Sequence, residues 1–123
     1  MKPTVAVIGA SKDRSKFSNK AVRAYLKQGY QVFPVHPKET EIEGLKAYRS
    51  ILDVPVVPDR VTVYIPPAAG LAIIDEIAKK GTKELFLNPG TESGELVERA
   101  KSLGLNPILA CSIVDIGVSP SSL

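Results

Sequence analysis

The chain has no tryptophan, one cysteine, one histidine and one methionine in 123 residues, and aromatic residues make up 6% of it. Each shortage removes a class of function. One cysteine leaves no internal disulfide, which fits a reducing cytoplasm. One histidine and one cysteine form no cluster with metal-ligand spacing, so no metal site is expected. A lone histidine builds no specific Ser-His-Asp constellation either. So few aromatics leave a stacking platform for single-stranded nucleic acid poorly supplied. The net charge of +3 is too small to argue for nucleic acid by itself and suits a protein that meets small anions.

Long apolar runs are missing too. The longest lies near residues 71–74, far short of the ~20 residues that span a bilayer. Near the start, charge returns at residues 11–16, before a secretory apolar region of roughly 7–15 residues is complete. A cytoplasmic protein without a membrane segment is expected. Its length allows one domain, residues 1–123, and is too short for two. No internal repeat or low-complexity segment is present.

What the chain does have is alternation. Apolar runs at residues 4–8, 31–35, 61–65, 84–87 and 107–110 read as strands. Between them lie amphipathic stretches at residues 18–28, 68–80 and 92–103, closed by Gly29, Gly81 and Gly104. A looser segment holds a short strand near residues 45–47 and one helical turn near residues 49–52. The chain finishes in a Ser- and Gly-bearing tail. Strands alternating with helices make parallel βαβ units, because parallel neighbours need a crossover. The expected fold is Rossmann-like α/β, a doubly wound, mostly parallel sheet of about five strands in three α/β/α layers. Ligands of such sheets bind beyond the carboxyl ends of the strands. The walls of that site are then residues 9–19, 36–38, 65–67 and 88–91.

The first strand runs into VAVIGASKDRSKFSN. A dinucleotide loop reads G-x-G-x-x-G, and the three positions here hold Gly9, Ser11 and Arg14. Ser11 replaces backbone approach by a hydroxyl, and loss of the third glycine lengthens the loop before the helix. Ser18 and Asn19 then sit at the helix start, where unpaired N–H groups and the dipole favour an anion. Lys12, Arg14 and Lys16 add positive charge. Each alone is as readily a solvated surface cation; together, in this context, they favour an anion site.

After the second strand an NAD site needs an acid for the ribose hydroxyls. The sequence reads Val35-His36-Pro37-Lys38, and its first acid is Glu39. A lysine there suits a phosphorylated ribose, as in NADP or coenzyme A. His36 reads as a loop residue set by the following proline. Cys111 reads as a small buried hydrophobe.

Four stretches in order, VAVIGAS, GYQVFPVHPK, IEGLKAYRSILDVP and VTVYIPPAA, resemble the CoA-binding domain family over about residues 3–118. These are stand-alone relatives of the N-terminal domain of the succinyl-CoA synthetase alpha chain. The resemblance implies that Gly9, Ala10, Ser11 and the loop through Lys16, Ser18 and Asn19 wrap the CoA phosphates, with Arg14 as a basic contact. It implies Pro37 and Lys38 beside the adenosine and its 3′-phosphate. Ile65, Pro66 and Pro67 then form an apolar wall, and Asn88 and Gly90 lie near the pantetheine. The chain departs from the family at His36, where Asn is common. It also has a proline at Pro89, and Leu109 where Asn or Asp often precedes the cysteine.

Ligases of this type pass a phosphoryl group through a histidine in a second domain, and His36 lies in the wrong place to replace it. The expected function is therefore binding of CoA or an acyl-CoA without intrinsic catalysis. The alternatives are an NADP-binding redox domain, or a regulatory or partner subunit with a vestigial nucleotide site. A protein partner or homo-oligomer is open, with residues 53–58 as a candidate contact edge.

Overall fold

The computed structural model describes residues 2–123. Five strands form one parallel sheet in the order β2-β1-β5-β6-β7: β1 Thr4–Ile8, β2 Gln31–Val35, β5 Arg60–Val63, β6 Glu84–Leu87 and β7 Pro107–Leu109. Two further strands, β3 Glu41–Ile42 and β4 Leu45–Lys46, pair antiparallel as a separate hairpin. The helices are α1 Phe17–Lys27, α2 Pro67–Lys80, α3 Gly94–Ser102 and α4 Ser112–Asp115.

Strand alternation divides the core in two. Ala6, Ile8, Val61, Val63, Leu85 and Leu87 point to one face, where they meet Ile74 and Ile77 of α2 and Leu96 and Ala100 of α3. Val5 and Val7 point to the other, against Ala21, Val22 and Tyr25 of α1 and Ile113 of α4. Both faces are covered, so the strands must be apolar throughout, as their sequences are. The Rossmann-like expectation holds, in three layers.

Several boundaries differ for local reasons. Helix α1 starts one residue before the expected 18–28, and α2 begins at Pro67, whose fixed φ suits a first turn. The strand expected at 61–65 starts at Arg60 and stops at Val63. Helix α3 starts at Gly94 rather than residue 92, because Ser93 caps it by accepting the Leu96 N–H. The short strand near 45–47 belongs to the hairpin, whose turn puts Glu43 at φ 51° and Gly44 at φ 75°. Paired positive φ values of that kind make a tight hairpin turn. The helical turn near 49–52 is a 3-10 turn over Ile51–Asp53, capped by Ser50.

The tail is not featureless. Its α4 packs on the sheet, and Asp115 pairs with Arg60 at 2.8 Å. Arg60 is buried, also reaches Glu84 at 3.0 Å and lies over the Phe86 ring. Burial alone would lower its pKa, but hydrogen bonds from Arg60 to Tyr25, Glu84 and Asp115 hold it above the ordinary value. The same burial pushes the Tyr25 hydroxyl up, against the opposing pull of Arg60. Among the described residues no helix is long and apolar enough to cross a membrane.

Candidate functional site

The chain leaves β1 outward to β2 with α1 on one face, and leaves β5 outward to β6 with α2 on the other. The sheet therefore reverses between β1 and β5, and the loops after these strands meet at that point. Gly9, at φ +81°, is the contact: a Cβ there would lie 2.5 Å from Ile65 Cγ2. Only glycine fits this backbone and this approach.

A groove of about 300 Å³ opens beside Gly9. Ile8, Val35, Pro37, Ile65 and the α2 residues Ala69, Ala72 and Ile73 line it, and Arg49 stands in its wall. A second cavity of about 130 Å³ lies between Phe17, Tyr64, Asn88, Pro89 and Cys111. The groove touches the start of the β1–α1 loop at Gly9, and the cavity touches its end at Phe17. Between them stands the amino end of α1, where the amides of Phe17 and Ser18 have no acceptor among the described residues.

The expected site residues separate into those facing this edge and those holding it. Gly9, Pro37 and Ile65 line the groove. Lys16 is exposed at the helix start, and Ser18 is buried one residue inside it. Ala10 is fully buried, with its N–H donated to the Val35 carbonyl at 3.2 Å. The Ser11 hydroxyl accepts the Asp13 N–H at 3.0 Å. Arg14 lies 3.6 Å from Glu43, and Lys12 lies 2.9 Å from Glu39. That pair raises the Lys12 pKa and lowers the Glu39 pKa. Pro66 is exposed and Pro67 half-buried at the start of α2, where neither supplies an N–H. Lys38 is exposed with no ion pair among the described residues and does not line the groove.

Asn19 and Asn88 are buried and fully occupied. Asn19 donates to the Ser11 carbonyl at 2.8 Å and to Glu43 at 3.1 Å, and accepts from Arg23 at 2.8 Å. Asn88 donates to Thr62 Oγ1 at 2.7 Å and the Val63 carbonyl at 2.8 Å, and accepts the Ser112 N–H at 2.9 Å. Each therefore holds its loop in place. Gly90 is exposed at φ +91°, and its N–H donates to Glu92, which belongs to this turn rather than to a helix. His36 fills a similar role: its Nδ1 accepts the N–H of Lys38 at 3.0 Å and of Glu39 at 2.9 Å. It shapes the turn that presents Pro37 and Lys38.

Arg49, Phe17 and Tyr64 were not singled out from the sequence. Phe17 is 55% exposed, with Lys20 Nζ 5.3 Å from its ring centroid. Burial pushes the Tyr64 hydroxyl up to about 12, so it stays protonated beside the Ser112 hydroxyl at 3.4 Å. Cys111 is half-buried and faces the cavity rather than lying wholly in the core.

Residues 3–116 match the family described as the CoA binding domain. The acetate–CoA ligase (ADP-forming) II subunit alpha of Pyrococcus furiosus is 32% identical over 117 residues, covering 85% of this chain and 25% of that protein. The corresponding I subunit alpha is 31% identical over 136 residues, covering 98% and 29%. The chain thus spans less than a third of these relatives. A conserved hypothetical protein from Pyrococcus furiosus superposes with TM-score 0.83 at 33% identity, over 94% of this chain and 99% of that one. The dinucleotide-forming acetyl-coenzyme A synthetase 1 of Ca. Korarchaeum cryptofilum superposes with TM-score 0.76 at 33% identity, over 88% and 25%. With a family match across nearly its whole length, the chain belongs to the CoA binding domain family.

Proposed function

We propose that the protein binds coenzyme A or an acyl-CoA along the carboxyl edge of the sheet and carries out no chemistry on it by itself. The observation that carries this reading is the order of the site. An apolar groove, a helix start with free amides and a smaller cavity follow one another along a single loop. That order matches the order of chemical groups in CoA. The adenosine enters the groove between Pro37 and Ile65. The diphosphate meets the amides of Phe17 and Ser18, with Lys16 adjacent. The pantetheine arm continues past Phe17 into the cavity, where the Tyr64 hydroxyl is a donor for its amides.

The absence of catalysis is part of the proposal. The single histidine spends Nδ1 on the Pro37-Lys38 turn, which does not suit a phosphoryl carrier. Two relatives are named as subunits of larger ligases. We extend the proposal to a cytoplasmic protein that acts with a second chain.

A thermal-shift panel with CoA, acetyl-CoA, NADPH, NADH and ATP tests the reading. A ligand at 100 times its Kd adds about 2.7 kcal/mol, which raises Tm by several degrees at this size. The expected result is a shift with CoA or acetyl-CoA and none with NADPH. A shift with NADPH alone overturns the reading in favour of a redox domain.

A further inference from the structure

The groove wall carries a charge with no ion-pair partner among the described residues. Helix α2 opens with Pro66 and Pro67, so its start offers fewer N–H groups to an anion than the start of α1. Recognition of a negative group in this groove falls to side chains. Of the nearby cations, Lys12 is paired with Glu39 and Arg14 with Glu43. Arg49 is exposed in the groove wall and has no ion pair or side-chain hydrogen bond among the described residues.

The backbone on either side of Arg49 is tied down. The Tyr48 N–H donates to the Pro34 carbonyl at 2.9 Å, and the His36 N–H donates to the Tyr48 carbonyl at 2.8 Å. On the other side Ser50 Oγ donates to Glu76 of α2 at 2.8 Å and accepts the Leu52 N–H at 3.1 Å. The guanidinium is thus carried on a segment locked to β2 and to α2, beside an apolar floor. A planar fork carried on a fixed backbone suits two parallel N–H donations to a phosphate. Lys38, by contrast, points its charge from an exposed turn and lies outside the groove lining.

We propose that Arg49 is the specificity-determining residue that selects ligands bearing a phosphate on the adenosine ribose. The proposal rests on the nucleotide site of the preceding section and adds the residue that reads the ribose phosphate.

Calorimetry with CoA and 3′-dephospho-CoA tests it in the wild type, Arg49→Ala, Arg49→Lys and Lys38→Ala. Arg49→Ala should weaken CoA by roughly tenfold or more and 3′-dephospho-CoA by less than about threefold, the difference expected for one charge-assisted pair. Arg49→Lys should keep part of the preference, and Lys38→Ala should reduce it less than Arg49→Ala does. Equal losses for both ligands in Arg49→Ala overturn the proposal, as does a preference that survives Arg49→Ala and vanishes in Lys38→Ala. Arg49 is exposed, so its variants should keep the wild-type Tm, which separates a binding loss from unfolding. If the wild type binds NADPH in place of CoA, the CoA reading fails. The role of Arg49 is then read from NADPH against NADH, where loss of that preference in Arg49→Ala supports it and an unchanged preference overturns it. No binding of any of these ligands overturns both.

Discussion

From Ser11 to Lys16 the chain is mostly exposed, and its Lys12 and Arg14 are met across the surface by Glu39 and Glu43. From Asn88 to Thr91 the chain turns around a buried amide whose donors and acceptor are all used inside the protein. Both loops close the same edge of the sheet. Beyond the Asn19 bond to the Ser11 carbonyl, the first is held by ion pairs that water and salt weaken. The second is held by buried hydrogen bonds, which cost most when one partner is removed. On the proposed reading the difference separates tasks: the loop after β1 would exchange its partners for a ligand, and the loop after β6 would stay a fixed wall.

The sharpest way to break this contrast is Asn88→Leu. It strands the Ser112 N–H and removes both donors to the β5 end. The expected cost is about 3 kcal/mol in urea unfolding. A loss below about 1 kcal/mol would make the β6 loop as dispensable as a surface loop.

Next in size is Cys111→Leu, which narrows the 130 Å³ cavity. A dry cavity of about 150 Å³ admits a benzene, so a leucine here takes up space that the end of the pantetheine arm would use. CoA should bind roughly tenfold weaker, while adenosine 3′,5′-bisphosphate, which lacks the pantetheine arm, should be unaffected in calorimetry. Equal losses would place the arm elsewhere.

A smaller effect is expected at Glu43→Gln. The carboxylate faces Arg14 and Asn19, where on the proposed reading it would compete with the ligand's diphosphate. Removing its charge should tighten CoA by about threefold, with stability unchanged within about 0.5 kcal/mol. Weaker binding would show that Glu43 supports the loop rather than competing for it.

The smallest effect concerns Asp59, away from both loops. Its carboxylate accepts the Thr4 N–H at 2.9 Å, which holds its pKa below the ordinary carboxylate range. A lowered pKa in the folded state adds stability at neutral pH, and that stability is lost as pH falls below about 4. Asp59→Asn should flatten the acid limb of the stability curve below about pH 4. An unchanged acid limb would show that Thr4 does not favour the charged form.

Much of this architecture was legible from residue order. The strand–loop–helix at VAVIGASKDRSKFSN carries local signals, an apolar run ended by glycine and then an amphipathic stretch, and those signals act over a few residues. The β3–β4 hairpin was half missed because two-residue strands have no periodicity, and only the turn at Glu43 and Gly44 marks it. Helix α4 is not legible in the sequence, because four residues hold too little pattern. What fixes it is distant: Asp115 on Arg60, and Ser112 on Asn88. The site divides the same way. Gly9, Pro37 and Ile65 sit at strand ends and follow from topology alone. Arg49 and Tyr64 reach the edge only through the folding of neighbouring segments. For Phe17 a local sign existed, an aromatic residue between a basic loop and a helix.

The central claim is that groove, helix start and cavity form one ligand site. Amide chemical shifts during a CoA titration of the isotopically labelled protein test it most directly. The account predicts that Gly9, Phe17, Arg49 and Cys111 shift together along one binding curve. Shifts confined to the groove or to the cavity, with the other end unmoved at saturation, would contradict it.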